Sequence, residues 1–249
     1  MAKTDYEEFQ QFLVMTLADG SPEDVALPGY LYTETLDNQE SVLQQGAKLF
    51  HTGKISHLLL IDNLGGSRPG YPGAQPWQKR LRELNIPDER VILIPFHEPV
   101  LHTLSESLAM AQFVQSRGWK KLMVIAPPFH LPRCFLSAVT AILYMHLSLR
   151  AYAVVGITQG WHKQAVHSQN VVQGLRKDLI VGELQRIKKY QRKTLLVRLA
   201  SEAPAFLKEF LKHPIRTLRN IPTYITKGSP IPLVSIDSAL TYLEWRDCW

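Results

Sequence analysis

LMVIAPPFHLPRCF, residues 122–135, decides how this chain folds. Five apolar residues lead into two prolines, and a histidine and an arginine follow, three positions apart. Pro132 and a further apolar run, LSAVTAILYMHL, then open a helix near residue 131 or 132. A strand that is apolar on both faces has to be covered by helices on both sides. Proline suits a first helical turn because its missing N–H would have had no partner there. Strand, turn and helix in this order make the repeating unit of a parallel sheet, and the turn lies at the carboxyl edge, where open α/β sheets bind their ligands.

Four other short runs, 12–17 (FLVMTL), 57–61 (HLLLI), 91–94 (VILI) and 151–155 (AYAVV), share the pattern. Helical periodicity separates them: 39–50 with Val42, Leu43, Ala47 and Phe50 on one face, 76–84, and 104–116 closed by Gly118. Thr103 and Glu106 have the spacing of a capping box. This alternation predicts an α/β fold, a Rossmann-like, mostly parallel five-stranded sheet with helices on both faces, over residues 1–160. A helical, basic C-terminal extension fills 161–249. In it, 161–170 (WHKQAVHSQN) reads as a loop and 175–191 as a basic amphipathic helix with Leu184, Ile187 and Tyr190 inward. A helix over 204–212, an irregular proline-rich stretch over 214–232 and a last helix over 238–245 follow.

The totals exclude several classes. At 249 residues and 45% apolar the chain can bury a real core, yet no stretch approaches the roughly 18–20 uninterrupted apolar residues that cross a bilayer. The start, MAKTDYEEFQ, is acidic where a secretory signal is basic and apolar, so a cytoplasmic location is expected. Cys134 and Cys248 have neither the number nor the spacing of a disulfide framework or a zinc site. The net charge of +6 is uneven, with 13 Lys and Arg against 4 Asp and Glu over residues 162–220.

Candidate chemistry gathers in the loops after the expected strands. His130 and Arg133 lie on one face at a helix start, beside the positive end of the helix dipole, a favourable place for a phosphate or carboxylate. Arg133 offers a planar fork and His130 a proton that moves near neutral pH. After the second strand, DNLGGSRPGYPG holds Asn63, Gly65 and Gly66, whose backbone can approach a ligand closely, although neither a phosphate-loop nor a dinucleotide motif is present. Asp19 and Gly20, placed after the expected first strand, add a ligand-binding turn. Glu106 is the candidate acid/base carboxylate, with helix capping as the plainer alternative, and Thr103 joins it. His97, Glu98 and His102 lack metal spacing, so no metal is expected. No Gly-x-Ser-x-Gly elbow supports serine hydrolase chemistry. The run 186–193 (RIKKYQRK) is read as a solvated helix face rather than a nucleic-acid or acidic-surface contact.

The stretch TLSESLAMAQFVQSRGWKKLMVIAPPFHLPR, carrying Thr103, Glu106, His130 and Arg133, together with the LGGS of Gly65 and Gly66, resembles the bacterial domain-of-unknown-function family typified by YdcF, SanA and ElyC. The resemblance covers about residues 12–190, so the 175–191 helix counts with the family core. It implies a Rossmann-like sheet with a ligand pocket at its carboxyl edge, a link to cell-envelope metabolism, and S-adenosylmethionine as a cofactor proposed for one member. Three functions follow as expectations. The first is an enzyme or enzyme-derived binder of a small phosphate-bearing or nucleotide-like anion; the second is an S-adenosylmethionine-binding protein or methyltransferase; the third is a non-catalytic module that docks through the basic extension.

Overall fold

The computed structural model describes residues 5–20, 25–33, 36–62, 73–96, 102–167, 172–191 and 231–248. Five parallel strands form the sheet: β1 (Leu27–Leu31), β2 (Ile55–Asp62), β3 (Val91–Pro95), β4 (Lys121–Ala126) and β5 (Arg150–Val155), in the order β3-β2-β1-β4-β5. The helices α1 (Asp5–Leu17), α2 (Leu36–His51), α3 (Ala74–Glu83), α4 (Thr103–Ser116) and α5 (Leu131–Tyr144) surround it. Contacts group α2 with α3 on one face and α4 with α5 on the other, where α1 also packs. The α/β expectation therefore holds. Strand order grows outward in one direction through β1, β2 and β3 and in the other through β4 and β5, so the topological switch point lies between β1 and β4.

One expected strand is a helix. Residues 12–17 belong to α1, because Phe9, Phe12 and Thr16 face the core at helical spacing while Val14 and Leu17 are exposed. The true first strand, LPGYL, is hidden in sequence by its proline and glycine, both of which usually argue against a central strand. Pro28 is accommodated by a register shift between Leu27 and Pro28 against β2. A Cβ at Gly29 would stand 2.5 Å from Ile55 Cδ1, so a larger residue there would have to push that methyl aside.

The extension is not purely helical. Residues 161–170 were expected as a loop, yet β6 (Gln164–His167) pairs antiparallel with β7 (Val172–Leu175) before α6 (Arg176–Gln191). Ala165 of this hairpin, Leu179 of α6 and Phe129 form a small apolar cluster apart from the main core, with Trp161 packed on it. The last helix, α7 (Ile236–Asp247), packs on α1 and α5. The helix expected over 204–212 lies outside the described residues. No described helix is long and apolar enough to cross a membrane.

Candidate functional site

β4 ends at Ala126, and Pro127 turns the chain by accepting hydrogen bonds from His130 N and Leu131 N, both at 2.9 Å. Arg133 N and Cys134 N bond back to the His130 carbonyl, and Pro132 has no N–H. The first turn of α5 therefore has its backbone donors engaged at home. What the turn contributes is side chains and the positive end of its dipole.

Those side chains point inward. His130 and Arg133 are only 2% and 8% exposed. His130 holds the N-cap position, yet its side chain makes no cap bond. Its Nδ1 lies 2.7 Å from Glu183 Oε2, and Arg133 donates from Nε to the same oxygen at 2.5 Å and from Nη2 to Oε1 at 3.3 Å. Arg133 Nη1 donates to Thr103 Oγ1 at 2.6 Å, and Arg186 Nη1 donates to Glu183 Oε1 at 2.5 Å. A single carboxylate, 1% exposed, thus faces two guanidiniums and an imidazole. Facing a carboxylate that accepts, Nδ1 of His130 is the nitrogen that carries a proton.

A second set of polar groups continues the network over β1. Tyr30 donates its hydroxyl to Glu106 Oε1 at 2.6 Å, deep in the protein. Ser107 gives its one proton to the Thr103 carbonyl at 2.6 Å, so Tyr32 is the donor in the 2.6 Å contact between Tyr32 and Ser107 hydroxyls. Burial above all, with the Cys134 thiol and the Glu106 carboxylate adding to it, holds the Tyr32 phenol well above its ordinary pKa; Ser107 and Arg133 oppose this only in part. Tyr32 is therefore a neutral donor. Thr33, the next residue, is 3% exposed and its hydroxyl has no hydrogen-bond partner among the described residues.

Capping explains neither Thr103 nor Glu106. The capping box of α4 sits one position earlier and uses other residues: His102 Nδ1 accepts from Ser105 N, and Ser105 Oγ accepts from His102 N, each at 3.1 Å. Thr103 and Glu106 are left for the polar network.

Asp19 is drawn away from this edge. Because 12–17 is helical, Asp19 follows a helix rather than a strand, and it binds Arg246 through both oxygens at 2.6 and 2.9 Å while accepting from Ala153 N at 2.7 Å. Exposed Gly20 follows it, with nothing within 4 Å of where a Cβ would stand. Neither belongs with His130. Asn63, Gly65, Gly66, His97 and Glu98 lie outside the described residues, and no described cluster of His, Cys, Asp and Glu is arranged to hold a metal.

Glu183, Arg186, Tyr30, Tyr32 and Ser107 were not anticipated. A signal for Glu183 existed, for Leu179, Glu183 and Ile187 follow at four-residue spacing, which sets a carboxylate within an apolar stripe. Tyr190, expected inward, is 41% exposed instead, while Ile187 is fully buried. The tyrosines were hidden by the misplacement of the first strand. No protein-family model, curated protein or solved structure matches this chain.

Proposed function

We propose that this chain binds a small phosphate-bearing or nucleotide-like anion at the carboxyl edge of its sheet and acts on it as a transferase or hydrolase, in keeping with the YdcF-like resemblance and its link to the cell envelope. One observation carries the reading: a buried ionic network, His130, Arg133, Arg186 and Glu183, stands at the end of β4, beside the switch point. Buried ion pairs add little net stability against well-packed apolar residues, so such a cluster at a ligand-binding edge points to function. In this reading Glu183 orients His130, whose Nε2 moves the proton. Arg133 and Arg186 supply positive charge, and the Thr103 hydroxyl, held by Arg133, retains a proton to donate. Glu106 and Tyr30 form the floor.

Calorimetric titration with inorganic phosphate, sugar phosphates, nucleotides and S-adenosylmethionine tests the reading. Binding of a phosphate-bearing ligand, lost in His130→Ala and Arg133→Ala, is the expected result. Should both variants bind every ligand as tightly as the parent, the site is misassigned. S-adenosylmethionine is the weaker alternative, because its turn would follow a first strand at residues 12–17, and these belong to α1.

A docking role for the extension has one observation in its favour. Ile180 (38%), Val181 (58%) and Tyr190 (41%) are exposed on α6 together with Lys177, Lys188 and Lys189. Association with nucleic acid that weakens steeply as salt rises would support it, since phosphate contacts release counterions.

A further inference from the structure

α6 buries Arg176, Leu179, Glu183 and Ile187, so half of the side chains it turns inward are charged. Its apolar anchorage is divided. Ile187 reaches the main core, whereas Leu179 belongs to the small cluster with Phe129 and Ala165. Between these two anchors Glu183 ties the helix to α5 through three contacts, from His130 Nδ1 and from Arg133 Nε and Nη2, while Arg186 of α6 itself donates to its Oε1. Without that carboxylate, the three nitrogens that α5 supplies would converge on one point, a guanidinium fork with an imidazole beside it. An arginine fork binds phosphoryl oxygens with the same paired geometry as a carboxylate, so the seat suits a phosphate as well as Glu183. Desolvation offsets much of the Coulomb attraction in a buried pair, so exchanging one anion for another here meets no large opposing free energy.

We propose that Glu183 is the site's internal anion: it occupies the seat of the ligand's phosphoryl group, and the α6 segment around it is a lid that a phosphate-bearing ligand lifts by taking Glu183's place. The proposal rests on the anion-binding reading above. A ligand that displaces an element loosens it, so phosphate should raise amide exchange in α6 where ordinary binding lowers it.

Hydrogen exchange of the full chain with inorganic phosphate, against sodium chloride at matched ionic strength, reads this directly. Faster exchange of the amides over 179–187 in phosphate is expected, together with phosphate binding at least about tenfold tighter in Glu183→Gln than in the parent. If phosphate binds and those amides stay as protected or become more so, the lid is refuted while the anion-binding reading stands. If neither protein binds phosphate, the seat assigned to Glu183 is refuted, and the titrations with sugar phosphates and nucleotides decide the anion-binding reading. Should Glu183→Gln not fold, the exchange measurement on the parent decides by itself.

Discussion

Tyr32 shows what burial does to one titratable side chain. Its phenol is 1% exposed, donates to Ser107 and has a pKa held well above the ordinary value of about 10. A group whose folded pKa is raised keeps its proton longer in the folded state. The unfolded chain ionises first, and stability, unaffected below about pH 10, falls as pH climbs from there toward the folded value. Tyr242 is shifted upward in the same direction, again chiefly by burial. Thermal melts between neutral and strongly alkaline pH should show the parent losing more stability above about pH 10 than Tyr32→Phe. At neutral pH that variant should be less stable by about 0.5–1.5 kcal/mol, the contribution of one hydrogen bond. Equal alkaline losses in both proteins would contradict the placement of Tyr32. His130 and Arg133 were legible in sequence because proline, turn and helix start are local signals. Their partner Glu183 lies 53 and 50 residues on from them. That pairing is a property of how α6 crosses α5, which no local spacing encodes.

The start of α4 separates capping from the network at the level of an element. His102 and Ser105 satisfy each other's backbone donors, and Thr103 and Glu106 turn elsewhere. Ser105→Ala should therefore destabilise the protein by about 1 kcal/mol, as loss of a cap does, and leave ligand binding intact. Thr103→Ala should weaken phosphate binding instead, by removing a hydroxyl that Arg133 holds. The two variants, compared by denaturant midpoint and by titration, should fail in opposite measurements; a loss of binding in Ser105→Ala equal to that in Thr103→Ala would return Thr103 to a purely structural role. The spacing of Thr103 and Glu106 predicts the cap one position too late, because Glu106 instead accepts from Tyr30 on β1. Four of the five strands were readable as two-sided apolar runs. β1 was not, since its Pro28 and Gly29 are residues that usually argue against a central strand, and the register shift between Leu27 and Pro28 that admits them is set by the pairing with β2.

Closure of the sheet belongs to the whole molecule. β5 is an edge strand, and an open edge exposes backbone donors and acceptors that recruit other chains. Here α7 and the residues after α1 seal it. Tyr242 accepts from Ala151 N at 2.7 Å and donates to the Leu149 carbonyl at 2.9 Å, Arg246 donates to the Ala151 carbonyl at 2.9 Å, and Asp19 accepts from Ala153 N. The Asp19–Arg246 pair, 227 residues apart in sequence, fastens α7 to the residues after α1 across that edge. Both side chains are under a tenth exposed. Removing one partner leaves a buried charge unpaired, so Arg246→Ala should cost about 3–5 kcal/mol and raise aggregation on heating. The double variant Asp19→Ala with Arg246→Ala should lose less than the sum of the single losses, because the second removal eliminates the charge that the first stranded. Phosphate affinity of the molecules that remain folded should be unchanged, for this pair seals an edge while the Glu183 cluster lies at the strand ends. Melting curves, light scattering and titration on the same samples check all three; an affinity that falls with Arg246 would mean that the sealed edge and the anion seat are energetically one unit.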